Sequence, residues 1–478
     1  MTTQRYLFFD DREVLSRTGL VRTVHHAQKH VGNPILRPEP AWEGAMVPST
    51  VLYDDEAGCF KMWYLTHARV PGVESTYVTG YATSADGVHW ERPNVGVYEH
   101  DGSRENNLCM VHTPGGMGVI KDERDPDPAR RFKTLFWRGG NRAKADVKRG
   151  WGTKEHRGFY AGFSPDGAHW SLGSEQPVLT GTGDTTSLFG WDDTYGRYVA
   201  YARPGRDVRR VDGAIYPPRR VIGRSESEDF SSWTAPLDVV LPDADDPPGA
   251  EHYYMPVQRY HGHYVGIVHV YVPSPDPFGP FWPELTHSRD GLRWRRLNEH
   301  GCQRLVLPGE EGSFDSGMIR CARGIFERGD ELWLYYGGWH EEHGASRQHR
   351  HMTTPREAQR RAAAIGLATL RLDGFVSLDA GEEEGSLTTA PVIWGAEASA
   401  AVTVNARVTP GGCVRVEVLD AGGKVVPELG LDMCDAIEGD STRHAVQWGG
   451  RADLSRLQGE RVQLRFHLRN AELYSYTV

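Results

Sequence analysis

Three acidic residues of this 478-residue chain have surroundings suited to chemistry: Asp184, Glu251 and Asp315. Each lies at or just ahead of a short apolar run of β character. Asp184 is followed by Thr185 and Thr186, Glu251 by His252, Tyr253 and Tyr254, while Asp315 follows Glu310, Glu311 and Phe314. Two carboxyls on opposite sides of a glycosidic bond are the minimum for its hydrolysis. Burial and mutual repulsion would part their pKa values into acid and base roles. These three are the catalytic candidates. Glu43 with Trp42, His252, Tyr254, Arg203, Arg320 and His340 are the candidate substrate-binding residues, a mixture of aromatic and ionic groups that suits a polyhydroxylated ligand.

Each has a plainer reading. Asp184 in Gly181-Thr-Gly-Asp184 and Asp315 in Phe314-Asp-Ser-Gly317 could cap turns, and Glu251 with His252 could sit on a rim. Asp122 and Asp125 lie in a Pro-rich loop and are read as shaping it. His340-x-x-His343, with His349 and His351 nearby, has ligand-type spacing, but a charged His-rich loop is more often solvated, so no metal site is expected. The stretch 340–361 reads as a lid or a disordered segment.

The candidates are far apart in the chain and can meet only if repeated sheets converge on one axis. Such a repeat is present. Ser84-Ala-Asp-Gly-Val-His-Trp90 returns as Ser164-Pro-Asp-Gly-Ala-His-Trp170 and as Ser288-Arg-Asp-Gly-Leu-Arg-Trp294. Ser227-Glu-Asp-Phe-Ser-Ser-Trp233 is a degraded copy, and Leu372-Asp-Gly-Phe-Val-Ser377 is a fifth without the Trp. An Asp-Gly pair gives the positive φ angles of a tight hairpin, Ser can cap the loop amides, and Trp would land on the following strand. Copies spaced by several tens of residues, most after a short apolar run, predict four-stranded sheets repeated as a propeller.

Five blades are expected: from Val47 to Trp90, Gly115 to Trp170, Asp184 to Trp233, Glu251 to Trp294 and Phe314 to about Ser377. The N-terminal ends of the inner strands would share one mouth, where Glu43, Asp184, Glu251 and Asp315 would gather. Blade two brings only the neutral Gly115-Gly-Met117. Long loops such as the polar, basic stretch 138–156 would cover the mouth. Beyond 380 the pattern changes to strict alternation, as in Cys413-Val-Arg-Val-Glu-Val-Leu419, the period of half-buried strands. The fold class is therefore all-β: a five-bladed β-propeller followed by a C-terminal β-sandwich. The expected organisation is a lead-in over 1–44 packing on the propeller, a catalytic propeller over 45–380 and a sandwich over 381–478.

Composition bounds the partners. The net charge is −10 and no basic patch dominates, so nucleic acid is not expected. Six cysteines are scattered without a C-x-x-C pair, which fits a reduced, intracellular chain. There is no apolar signal core and no run long enough to span a membrane. The expectation is a cytoplasmic protein with a small carbohydrate-like substrate and no membrane partner; the oligomeric state is left open.

The chain resembles the five-bladed propeller glycosidases, the group of glycoside hydrolase families 32, 43 and 68, and most of all a branch similar to family 32 N-terminal domains. Tyr6-Leu-Phe-Phe-Asp-Asp11, Asn33-Pro-Ile-Leu36, Phe60-Lys-Met-Trp-Tyr64, Gly183-Asp-Thr-Thr186, Phe314-Asp-Ser-Gly317 and Leu334-Tyr-Tyr-Gly-Gly338 carry the resemblance. It implies one carboxylate at the mouth end of the inner strand in each of blades one, two and three. Asp184 falls at the general-acid position, where the family usually has Glu. The nucleophile position falls near Met46-Val47, which cannot serve, and Gly116-Met117 replaces the blade-two Asp; Arg124-Asp-Pro126 lies in a hairpin loop instead. A retaining mechanism is therefore not carried over, and acid and base would come from Asp184 with Glu251 or Asp315. No cofactor is expected, although by analogy a divalent ion could sit in the channel.

Three functions follow. The first is a glycoside hydrolase for a small glycoside or oligosaccharide, furanosides included. The second is a lyase, isomerase or cyclase working on a sugar-like or secondary-metabolite substrate with the same scaffold, since fold does not fix function. The third is a sugar-binding propeller without catalysis.

Overall fold

The computed structural model describes residues 4–71, 77–111, 117–138, 157–205, 209–211, 214–216, 220–273, 279–297, 304–343, 363–394 and 401–478. The expected blade-two residues Gly115 and Gly116, the loop 139–156 and most of the stretch 340–361 lie outside these.

The described chain is almost entirely strand. Two four-stranded antiparallel sheets are separate units. One, blade two, comprises Met117–Lys121, Phe132–Arg138, Gly158–Ser164 and Ser171–Leu172. The other, blade three, comprises Thr182–Asp192, Arg197–Pro204, Ile222–Ser227 and Leu237–Val240. A thirteen-stranded sheet divides into three further antiparallel units, joined only by the single parallel bridges Phe281 to Met318 and Arg323 to Thr50. Blade one runs from Val47–Asp54 through Cys59–His67 and Tyr77–Ser84 to Leu108–Val111. Blade four begins with an inner strand interrupted at Pro256, Glu251–Tyr254 and Val257–Tyr260, and continues through His263–Tyr271, Phe281–Ser288 and Trp294–Arg296. Blade five comprises Met318–Arg328, Glu331–Trp339 and Ala363–Arg371.

The inner strands touch in a closed ring. Val119 N–H donates to Thr50 Oγ1 at 3.2 Å between blades two and one. Ile120 of blade two and Leu188 of blade three share an apolar core. Thr185 Oγ1 donates to the Tyr253 carbonyl at 3.1 Å between blades three and four. Gln258 exchanges two hydrogen bonds with the Ile325 backbone between blades four and five. The Arg323–Thr50 bridge returns to blade one. This is a β-propeller, with a channel at the axis of the ring.

Blade five takes its outermost strand, Gln28–Lys29, from near the start of the sequence, paired with Ala368 and Thr369. Asn33 extends the seam: its side chain donates to the Leu367 carbonyl at 2.8 Å and accepts from the Leu367 amide at 2.9 Å. Sequence patterning had left this two-residue strand inside the lead-in.

The repeated motif proves to be a fastener between blades. In each full copy Ser Oγ accepts from the Gly amide at 2.8 Å, and the Asp carboxylate accepts from the two amides that follow Gly. Only the fourth residue of the motif takes positive φ: Gly87, Gly167, Gly291 and, in the degraded copy, Phe230. The expected two-residue Asp-Gly hairpin is thus corrected to a wider turn in which Asp is an amide acceptor. The Gly carbonyl accepts from the motif's own Trp and from an aromatic side chain on the second strand of the preceding blade. Gly87 accepts from Tyr335 at 2.8 Å, Gly167 from Trp63 at 2.7 Å and Gly291 from Tyr201 at 2.9 Å. These donors are buried, so each bond is shielded from competing water.

A separate nine-stranded sheet is built on two long strands, Thr403–Asp420 and Arg461–Thr477, paired antiparallel over most of their length. Their alternate residues, among them Val404, Val414, Val416, Phe466 and Leu468, are buried with Trp448 in one apolar core, completing the β-sandwich. Arg5–Leu7, Val14–Thr18 and Val21–Val24 pair into this sheet, as does Val376–Ala380. Most of the lead-in strands therefore pair with the C-terminal sheet, while Leu7, Phe9 and Ala27 pack in one core with residues of blades four and five. Asp373, from the fifth motif copy, clasps the two parts. Its buried carboxylate accepts from Arg5 at 2.9 Å, from Ser475 at 2.6 Å and from Tyr260.

Candidate active site

The inner strands are irregular at their mouth ends. Blade three loses register between Thr182 and Thr186, leaving Gly183, Asp184 and Thr185 outside the ladder. Blade four loses it between His252 and Tyr254, leaving Tyr253 outside the ladder. Blade five loses it between Cys321 and Ile325, around Gly324 with φ +132°. A bulge re-aims the side chain at the extra position, and here the re-aimed groups are chemically active ones.

Asp184 forms an ion pair with Arg203, and Glu251 forms one with Arg220. Both guanidiniums face the ring of Tyr253, at 5.0 Å for Arg203 and 5.2 Å for Arg220. Arg220 also lies 5.4 Å from the ring of Tyr271. Tyr253 meets Phe281 edge-on at 5.3 Å, and His343 sets its ring edge-on to Tyr253 and Tyr271, both at 4.8 Å. Glu251 is buried, while the Asp184 side chain is one-third exposed. Burial holds the Arg203 guanidinium below its usual range and nearby Arg220 adds to this, opposed by Tyr253 and Glu251. Two carboxylates from different blades are thus joined through one aromatic ring and two cations.

Below this mouth the channel wall is cationic. Arg320 is 8% exposed and lies 4.5 Å from the ring of Tyr254. Arg323 spans the axis, donating to the Phe189 carbonyl of blade three at 2.9 Å and reaching the Val119 carbonyl of blade two at 3.5 Å. Burial lowers its guanidinium to about 10. His269 bridges blades four and five. Its Nδ1 donates to the Tyr254 carbonyl at 3.1 Å and its Nε2 accepts from the Cys321 amide at 2.9 Å. That pair of bonds requires the neutral imidazole, and burial depresses its pKa to about 3.

The other predicted residues are dispersed. Asp315 is buried away from the pair, in an ion pair with Lys29 at 2.6 Å and accepting from Tyr336 at 2.7 Å and Ser313 at 2.9 Å. Glu43 is fully engaged by Tyr64 and Arg92, and Trp42 donates to Asn107 at 2.8 Å. Both side chains thus make their hydrogen bonds to residues of blade one and the segments flanking it. His252 is fully buried, with Nε2 3.4 Å from the Asp246 carboxylate. Tyr254 and Arg320 line the channel. His340 is half exposed beside Glu341, and the ligand-type spacing to His343 does not bring the two rings into one metal site. Among the described residues, no three His, Cys, Asp or Glu side chains converge to hold a metal ion.

Arg220, Tyr271 and Arg323 were not singled out by sequence, and His343 only for a ligand-type spacing. Arg220 reads from sequence as the first residue of the blade-three strand Arg220-Val-Ile-Gly223, with nothing to set it in the site. Tyr253 was visible beside Glu251, but only its bulge separates it from Tyr254 in direction.

No protein-family model matches this chain, and no curated protein matches it. Solved structures similar to it include a glycosyl hydrolase from Bacteroides ovatus, at 14% identity and TM-score 0.46 over 73% of this chain and 94% of that one. A glycoside hydrolase family 43 arabinoxylan arabinofuranohydrolase from Bacillus subtilis is similar at 14% identity and TM-score 0.42 over 94% and 98% of the two chains. A Bombyx mori family 32 beta-fructofuranosidase is similar at 11% identity and TM-score 0.44 over 93% and 94%.

Proposed function

We propose that the protein is a glycoside hydrolase acting on a small glycoside or oligosaccharide at the propeller mouth. The observation that carries this reading is the junction of Asp184 and Glu251 around Tyr253. Tyr253, Tyr271 and Phe281 offer apolar faces for a sugar ring. Carboxylates and guanidiniums around them bind hydroxyls and fix the ring's orientation. One carboxyl then protonates the leaving oxygen, and the other takes a proton from the attacking water.

A second reading, a non-hydrolytic enzyme on a sugar-like substrate, draws on the pairing of both carboxylates with guanidiniums. Two balanced ion pairs suit charge stabilisation in a lyase or isomerase as well as they suit proton transfer. The test is a panel of chromogenic pyranosides and furanosides with product stereochemistry, run on the parent and on Asp184→Asn and Glu251→Gln. Cleavage lost by two or more orders in both variants supports hydrolysis. A parent that cleaves none of the panel but converts a sugar without adding water supports the second reading.

A further inference from the structure

Charge is unbalanced along the channel. Asp184 and Glu251 are matched by Arg203 and Arg220, but Arg320 and Arg323 below them have no carboxylate partner among the described residues. Arg323 spends its terminal nitrogens on backbone carbonyls of two other blades, so it acts as a fixed strut. Arg320 is different. It is more than nine-tenths buried, its Nε–H has no acceptor, and its only described ring contact is with Tyr254. A guanidinium removed from water with an unused N–H incurs a desolvation cost that the Tyr254 ring beside it offsets only in part.

The local backbone keeps it there. On a regular strand residues 320 and 323 would point to opposite faces. The register break between Cys321 and Ile325 lets both arginines serve the channel, and a side chain at Gly324 would strike the Val51 carbonyl at 2.6 Å. Tyr254 beneath Arg320 and the His269–Cys321 bond beside it hold the guanidinium from two blades. From Arg320 a chain of ring contacts, Tyr254 to His269, His269 to Phe281 and Phe281 to Tyr253, leads to the mouth.

We infer that the ligand taken at this mouth carries an oxyanion, a sugar carboxylate or a sugar phosphate, which seats on Arg320. The planar fork of arginine suits such oxygens, and charge-assisted bonds to them are about twice as strong as neutral ones. This deepens the proposed function, and rests on it only for the location of the sugar ring.

The test is binding of glucuronate, glucose 6-phosphate and glucose to the full-length protein, followed by calorimetry, with no turnover required. Either acid should bind at least tenfold more tightly than glucose, and its affinity should fall as salt is raised. The stronger of the two identifies the source of the oxyanion. Arg320→Gln should abolish the difference, and Arg320→Lys, which keeps the charge and the packing stem, should restore part of it. Glucose binding as tightly as both acids, or a preference for acid unchanged in Arg320→Gln, would overturn the inference, as would no binding of either acid. Hydrolysis of neutral glycosides in the panel alongside equal binding of all three sugars would end this inference while leaving the glycosidase reading intact. Acid binding without any hydrolysis would do the reverse.

Discussion

Lys29 and Asp315 form a 2.6 Å ion pair between the outermost strand of blade five and the segment that leads into its innermost strand. With Tyr336 and Ser313 on the same carboxylate, this pair ties the borrowed strand to the axis of the ring. Asp315→Asn keeps the shape and removes the charge. Breaking a buried pair from one side costs about 3–5 kcal/mol, so the variant should unfold at markedly lower denaturant while the folded fraction keeps its turnover. A turnover loss as large as that of Asp184→Asn, at unchanged stability, would return Asp315 to the chemistry.

Asp184→Asn and Glu251→Gln are expected to have the opposite signature. Each should lower kcat at least a hundredfold, the scale of a lost proton-transfer or charge-stabilising group. The partially exposed Asp184 should leave stability within about 1 kcal/mol of the parent. Glu251 is buried, and its replacement should cost more. Denaturant melts beside steady-state kinetics separate the two effects.

Acid should weaken the fold before any carboxylate titrates. Burial depresses His263 and His269 to about 3 and His287 to about 4, against an ordinary value of 6.5. Between these limits the unfolded chain binds more protons than the folded one, so stability is full above pH 6.5 and declines as pH falls below it. The slope approaches about 1.4 kcal/mol per pH unit for each histidine. Exposed His169, raised by Asp166, opposes this only weakly. Denaturant midpoints at pH 7.5, 6 and 5 should fall in that order; a flat series would remove the neutral-histidine assignment at the blade four–five seam.

Gly167 should tolerate no side chain. Its φ is +86°, and an added Cβ would meet the Trp63 ring at 2.7 Å. Gly167→Ala therefore combines backbone strain with a clash at an inter-blade bond, and should destabilise by more than about 1 kcal/mol. Gly58, also at positive φ but with open space around it, provides the control, in which only the backbone term remains. Equal melting temperatures for the two variants would deny the motif its fastening role.

The repeat made the propeller legible in the sequence. Ser, Asp, Gly and Trp at fixed spacing are needed locally, by amides and carbonyls a few residues away, and so they recur visibly. Gln28–Lys29 was illegible for the opposite reason: two polar residues carry no period, and their partners lie more than three hundred positions away. The site was half legible. Asp184 and Glu251 announced themselves as acids next to strand starts, and they do share a neighbourhood. Asp315 and Glu43 had the same appearance, but whether a buried acid faces a ligand or an internal cation depends on Lys29 and Arg92, which pattern alone does not bring to them. Tyr253 depended on a bulge, which leaves little trace in residue type.

The seam at blade five also has a temporal meaning. Asn33 and Leu367 are 334 positions apart, so a chain emerging from the ribosome must finish nearly the whole ring before its last sheet can be completed. Until then the early strand Gln28–Lys29 has no mate, and blade five of a neighbouring chain could offer one. Growth at low temperature or with holdase chaperones should therefore raise the soluble yield more for this protein than for one whose outer strands all come from adjacent sequence.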